Sequence, residues 1–308
     1  MSRLVSLLSK GVSQLGSIPT KTHTFSRAFS SLPPQTRRVQ RSLLYVPCSE
    51  ERKIRKSLSV PADCIMYDLE DGVSLNRKGQ ARELVSNALQ LTRDYDAELG
   101  LQSKKLQSIL IPKVQKPSDI AFVSKMIDSI APEESRDNIK IIAGIESALG
   151  LMNIKEIATC NPRLQALLFA SEDYISDVEG IRTKSRREMY FARATVVNAA
   201  RAYGLDSIDM VCVDYKSKET LIEECQDAVE MGFTGKQAIH PSQIETIHEM
   251  FCPSSESVDK AVRIIKGFEE NASDGVGAFE LDGKMIDMPV VKWAEKVLAK
   301  ARLSGIDV

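Results

Sequence analysis

Seven short apolar runs separated by longer amphipathic stretches set the strongest constraint on what this chain can fold into. The runs cover residues 42–46, 64–67, 109–111, 140–145, 166–169, 210–213 and 237–239. Runs this short, each followed by a helix-length segment, form the pattern of repeated strand and helix units around a parallel sheet. The clearest helix spans 186–203, where Met189, Ala192, Val196 and Ala199 fall near helical spacing and Gly204 supplies the stop. A closed (β/α)8 barrel needs eight strands and only seven are read, so either one is hidden in a long gap or the barrel is irregular.

Composition removes several classes of function. The 41 basic and 42 acidic residues leave a net charge of −1, so there is no overall positive field to attract nucleic acid or anionic lipid. No apolar stretch approaches the roughly 18 uninterrupted residues of a membrane span. The six cysteines show no C-x-x-C spacing, which predicts free, mostly buried thiols rather than a zinc ribbon or a disulfide framework. Three histidines, His23, His240 and His248, are too few for a multi-histidine zinc site. There is no P-loop, and Gly275-Val276-Gly277 lacks the third glycine and the preceding strand of a dinucleotide fingerprint.

The first 49 residues contain no Asp or Glu but carry Arg3, Lys10, Lys21, Arg27, Arg37 and Arg38 among many hydroxyl residues. That is the composition of a mitochondrial transit peptide, assigned to residues 1–38, and Arg27-Ala28-Phe29-Ser30-Ser31 looks like a matrix-protease site; a disordered tail is the rival reading. Residues 39–250 are then the barrel domain, the place for any chemistry, and 251–308 a C-terminal helical and hairpin extension.

A polar residue stands just past each strand: Asp68 with Glu70-Asp71, Lys113, Glu146, Glu172-Asp173, Asp214 and His240. Barrels and open α/β sheets both place their chemistry at these carboxyl ends. Any single carboxylate there could simply cap a helix or face solvent. Several at one mouth repel unless a hard cation neutralises them, and all-oxygen donors suit Mg²⁺. Near the C-terminus, residues 278–281 and 284–286 flank Asp282-Gly283, a strong two-residue hairpin signal, and an amphipathic helix over 290–302 follows.

Seven motifs in order then make the chain resemble the citrate lyase β-subunit family of the HpcH/HpaI aldolase superfamily. They are Leu44-Tyr45-Val46-Pro47, Asp68-Leu69-Glu70-Asp71-Gly72-Val73, Ile111-Pro112-Lys113-Val114, Ile145-Glu146-Ser147-Ala148, Ser171-Glu172-Asp173-Tyr174, Gly232 through Pro241, and Gly283 through Pro289. The resemblance implies a TIM (β/α)8 barrel with a C-terminal hairpin and helix extension. It implies Mg²⁺-dependent C–C bond cleavage between a CoA thioester and a 2-oxo acid, with citramalyl-CoA giving acetyl-CoA and pyruvate, in the mitochondrial matrix. A CoA-independent 2-oxo-acid aldolase is the alternative enzyme. By the same resemblance Glu146 and Asp173 are the metal ligands, and Tyr45, Lys53 and Lys56 lie in the region that holds the CoA nucleotide. A solvated basic helix face is the rival for the two lysines. Ile239 and His240 would touch substrate mainly through main chain. Asp287 would be the proton-transferring acid, delivered to a neighbour's mouth in a homotrimer.

One departure stands out. Family members carry a strand of the type V-R-[IV]-N after the D-L-E-D-G-V motif, and its arginine pairs with the substrate carboxylate. Here the chain passes from Ala88-Leu89 through Thr92-Arg93-Asp94 to residues 106–114 with no such strand. Arg93 is the candidate substitute. The expected barrel is then one strand short, and a catalytically impaired isoform becomes a second alternative.

Overall fold

Parallel strands covered on both faces need apolar residues at nearly every position, and Lys-Ile-Ile-Ala-Gly-Ile at 140–145 satisfies this with five of its six residues buried. The computed structural model describes residues 39–90, 106–272 and 278–308; the proposed presequence 1–38 and Arg93 lie outside the described residues. In chain order the elements are β1 (Ser42–Pro47), α1 (Glu51–Ser57), β2 (Cys64–Asp68), α2 (Lys78–Gln90), β3 (Ser108–Ile111), α3 (Pro117–Ile130), α4 (Glu133–Arg136), β4 (Lys140–Ile145), α5 (Ala148–Met152) and α6 (Ile154–Thr159). There follow β5 (Leu164–Phe169), α7 (Ser171–Asp177), α8 (Arg187–Ala202), β6 (Asp206–Asp209), α9 (Lys218–Met231), β7 (Gly235–Ala238), α10 (Ile244–Phe251), α11 (Ser255–Ala272), β8 (Phe279–Leu281), β9 (Lys284–Ile286) and α12 (Met288–Leu303).

The first seven strands form one parallel sheet in the order β2-β1-β7-β6-β5-β4-β3. The expected closed (β/α)8 barrel is thereby corrected. Among the described residues the sheet is an open, curled half-barrel whose edge strands, β2 and β3, each have a single neighbour. Closure requires the ladder to return on itself. The chain between β2 and β3 supplies α2 but, among the described residues, no strand to bridge the two edges.

Alternation along the strands separates two apolar layers. Leu43, Ile142, Ala166, Leu168 and Ile208 fill the concave face, with Cys64, Met66 and Leu110 packed against them. The intervening residues, such as Leu44, Ile141, Ala143 and Leu167, join the larger core beneath the helices.

The sixth strand is a second correction: it runs over Asp206–Asp209, upstream of the expected 210–213. Met210 and Cys212 are fully buried but lie beyond the strand. Asp209 can sit fully buried on a strand because Arg193 grips both its carboxylate oxygens at 3.0 Å and Lys236 stands 3.4 Å away. Asp214 consequently lies well past the strand's end, in an exposed loop.

Strand β7 likewise starts earlier than expected, running over Gly235–Ala238 rather than 237–239. Helix α8 stops at Ala202 with Tyr203 as its C-cap and Gly204 at φ +72°, as the sequence predicts; all six cysteines are free, but only Cys48, Cys212 and Cys225 are buried. Strands β8 and β9 form an antiparallel hairpin whose turn residues Asp282 and Gly283 have φ of +52° and +72°, the left-handed pair that this turn demands. The hairpin packs with α11 and α12 in a small apolar cluster of its own, centred on Ala261, Ile264, Val291 and Ala294. Near its C-terminal end, α12 lays Lys300 over the ring of Phe251 in α10 at 6.0 Å. No helix among the described residues is long and apolar enough to cross a membrane.

Candidate active site

The alternation that fills the concave face also builds its rim. Two residues beyond Leu43 is Tyr45, two beyond Met66 is Asp68, and four beyond Ile142 is Glu146, so all three belong to the concave side at the strands' carboxyl ends. Their electrostatics agree with this placement. The Tyr45 phenol is pushed well above its usual range by burial and then by the charges of Glu146, Asp68 and Glu70.

Glu146 is buried at 7% exposure, and its carboxyl is raised to about 7, first by burial and further by Asp173 and Glu70. The backbone amide of Lys113 acts in the opposite direction. Glycine 144 makes this arrangement possible: a Cβ there would stand 2.4 Å from Glu146 Oε1 and 3.1 Å from the carbonyl of Ile111. The chain after β3 therefore lies directly against the end of β4, held by the Val114 amide donating to the Gly144 carbonyl at 3.0 Å.

Asp173 sits in the first turn of α7, immediately after β5, and is partly exposed. Its neighbour in space is Lys113, whose ammonium lies 3.5 Å from Asp173, 3.0 Å from Asp71 and 3.3 Å from Glu70. Those carboxylates, Asp71 first, hold the lysine well above its usual range. The Asp68 carboxylate is engaged by the loop: it accepts the amides of Glu70 at 2.7 Å and Gly72 at 2.9 Å, folding the acidic turn over the end of β2. Glu172 points away into an ion pair with Arg182, which also donates to Ser171 Oγ at 2.7 Å.

Among the described residues no group of three or more His, Cys, Asp and Glu side chains gathers to hold a metal. Mg²⁺ asks for less, since it takes one or two carboxylates and keeps several waters. Glu146 and Asp173 are all-oxygen donors, and the charge of Asp173 adds to the cost of ionising Glu146, which a hard cation would relieve, so the pair fits it.

The remaining candidates are spread around this centre. On α1, Lys53 pairs with Glu50 at 2.8 Å and Arg55 with Glu51 at 2.6 Å, while Lys56 is exposed. The amides of Ile239 and His240 both donate to Gln243 Oε1, at 2.9 and 3.2 Å, so these two main-chain donors are engaged within the chain. The His240 ring stacks on Tyr215 at 5.1 Å and its Nδ1 accepts the Ser242 amide at 3.2 Å. Asp287 is exposed at the N-cap of α12, where its Oδ1 accepts from the Val290 amide at 3.3 Å.

Sequence reasoning placed Lys113 at the mouth without a role, and passed over Gly144 and Arg182. A glycine two residues before a strand-end carboxylate was the readable signal for Gly144. Nothing in the sequence marks Lys113 as a left-handed residue, yet its φ is +51°.

The HpcH/HpaI aldolase/citrate lyase family matches residues 41–241. The mitochondrial citramalyl-CoA lyase of Mus musculus is 34% identical over 301 residues, covering 89% of each chain. The citrate lyase subunit beta of Escherichia coli K12 is 33% identical over 296 residues, covering 90% of this chain and 98% of that one. Among solved structures, the CitE protein of Mycobacterium tuberculosis in complex with magnesium, acetoacetate and coenzyme A superposes with a TM-score of 0.68 at 26% identity, covering 87% of this chain and 98% of that chain.

Proposed function

The chain belongs to the HpcH/HpaI aldolase/citrate lyase family, and from that premise we propose that it is a magnesium-dependent carbon–carbon lyase that cleaves citramalyl-CoA to acetyl-CoA and pyruvate in the mitochondrial matrix. The observation that carries this reading is the pair Glu146 and Asp173 on successive strand ends, with Glu146 raised to about 7. Relatives whose names and titles include mitochondrial citramalyl-CoA lyase, magnesium and coenzyme A support it.

In this reading Glu146 and Asp173 hold the metal, which when bound would supply Lewis acidity for the oxygen of the hydroxy-acid portion. Tyr45, half-buried and within the field of Glu146, orients that end of the substrate, and Lys53 and Lys56 on α1 face the nucleotide of CoA. Ile239 and His240 line the far side of the entrance. Cleavage of the C–C bond leaves its electron pair on the acetyl-CoA fragment as an enolate, and Asp287 returns a proton to that carbon. Run in reverse, the same groups would give malate- or methylmalate-synthase activity, with Asp287 taking the proton.

Asp287 reaches the mouth from a second copy of the chain, in a homotrimer. In the domain plan that goes with this, residues 1–38 are a cleaved presequence, 39–250 the catalytic body and 251–308 the extension that carries Asp287.

The test is Mg²⁺-dependent release of pyruvate from citramalyl-CoA. Activity lost on chelation and restored by Mg²⁺ supports the proposal. Equal cleavage of free hydroxy acids without CoA would favour the aldolase reading, and folded protein with no turnover would favour the impaired form that the open sheet suggests. Mixed oligomers of Asp287→Asn and Glu146→Gln chains, each inactive alone, should regain roughly a quarter of their sites by random exchange around a ring.

A further inference from the structure

Lys113 links the acidic groups of the mouth. Its ammonium lies within 3.5 Å of carboxylates from two separate segments, Glu70 and Asp71 after β2 and Asp173 on α7. Its own backbone amide faces a third, Glu146. To do this it adopts φ +51°, a left-handed conformation that a lysine rarely takes and that persists only when the surroundings impose it. The imposing contact is the close seating of residues 111–114 on Gly144. The turn at Lys113 thus re-aims a side chain from the end of β3 across the mouth, onto the carboxylate that β5 delivers.

We propose that Lys113 is a built-in placeholder cation: in the metal-free chain its ammonium occupies the electrostatic place beside Asp173 that a divalent cation takes on loading, so that binding is an exchange of one cation for another. This deepens the metal-site reading above and rests on it. On exchange, the lysine gives up Asp173 and remains with Glu70 and Asp71, which hold it at the closer distances of 3.3 and 3.0 Å. No bond is made or broken; a monovalent charge moves aside for a divalent one. The lysine keeps like charges from repelling one another before the metal arrives, and it weakens metal binding by competing for Asp173.

The two effects have opposite signs, which makes the test sharp. Calorimetric titration with Mg²⁺ and metal-free thermal unfolding would be compared for the parent chain, Lys113→Met, Lys113→Arg and Glu146→Gln. Lys113→Met should bind Mg²⁺ about fivefold more tightly, a screened single-charge effect at a partly exposed site, while its metal-free form unfolds at a lower temperature. Lys113→Arg keeps the charge and should bind as the parent does. Should Lys113→Met fail to fold, Lys113→Gly removes the ammonium while accepting the left-handed backbone, and the same tightening is expected. Unchanged or weaker binding in the folded variant that lacks the ammonium overturns the proposal, provided that the parent binds Mg²⁺ and Glu146→Gln does not. If parent and Glu146→Gln bind alike, or neither binds, the metal-site reading falls and the exchange with it.

Discussion

Two charged regions of the molecule, one between the sheet and its covering helices and one at the carboxyl ends of the strands, are balanced differently. Between the sheet and helices α8 and α9, the cations Arg182, Arg186, Arg193 and Lys236 are matched by the carboxylates Glu172, Asp209, Glu224 and Asp227 in a chain of ion pairs. At the mouth, Glu70, Asp71 and Asp173 gather around the ammonium of Lys113 with Glu146 behind them, and a further cation beside this turn, Lys78, donates to the carbonyls of Leu69 and Glu70. The matched region includes fully buried groups and ties elements together: Arg193 of α8 to Asp209 of β6, Lys236 of β7 to Glu224 of α9. The unmatched region is at the rim and carries an excess of negative charge. Neighbouring residues of one helical turn divide between the two, with Glu172 turned into the matched set and Asp173 left at the mouth. Charge that is neutralised within the chain holds the fold; charge left over is available to a ligand.

The largest effect expected from breaking this contrast is on stability. Arg193→Met strands Asp209 and Asp227 without their main partner, and removal of one member of a buried pair costs about 3–5 kcal/mol. Urea unfolding should show that loss, and a change below about 1 kcal/mol would mean that water or rearrangement compensates the buried network. At the mouth the same kind of change should leave the fold intact and remove function. Glu146→Gln should lower Mg²⁺-dependent turnover by about 100-fold or more, close to 2.7 kcal/mol of transition-state stabilisation. Turnover within threefold of the parent would remove Glu146 from the chemistry.

Smaller perturbations sharpen the picture. Gly144→Ala introduces a Cβ 2.4 Å from Glu146 Oε1 and should weaken Mg²⁺ binding about tenfold by displacing that carboxylate. Binding unchanged in a titration would show that Glu146 is freer than its packing suggests. Asp287→Asn should change stability by less than about 0.5 kcal/mol, because asparagine caps a helix as well as aspartate, whereas Asp287→Ala should cost about 1 kcal/mol. Turnover lost in Asp287→Asn at unchanged stability would separate a proton-transfer role from a capping role. Equal stability of the Asn and Ala variants would show that the cap contributes nothing.

What could be read from sequence follows the same division. The run at 140–145 was legible because a strand covered on both faces is apolar throughout. The Asp282-Gly283 turn was legible because few residues tolerate its backbone. Strand β6 was misplaced because its strand residues include Asp206 and Asp209, and the partners that let Asp209 be buried stand 16 and 27 positions away at Arg193 and Lys236. An apolar run just downstream, buried but not in the sheet, drew the reading away. Closure of the barrel was over-read for a related reason: strand content says nothing about whether the two edge strands meet. Glu146 and Asp173 were found through their motifs, whereas the geometry that connects them, the left-handed Lys113 seated against Gly144, depends on contacts between β3 and β4 that no local pattern encodes.

If the mouth's surplus negative charge is a cation site, as proposed, and the buried network is not, thermal unfolding against pH, with and without Mg²⁺, will separate the two. Glu146 has a carboxyl raised from the ordinary value of 4.5 to about 7, so its protonated form is favoured in the fold. Its contribution to metal-free stability is therefore full below pH 4.5 and lost as the pH rises through about 7. Added Mg²⁺ should recover that loss, with a stabilisation that grows between pH 6 and 8 and is absent in Glu146→Gln and Asp173→Asn, neither of which unfolds earlier than the parent without metal. A Mg²⁺ effect of equal size in the parent and both variants, or variants that unfold at markedly lower temperature without metal, would contradict the account.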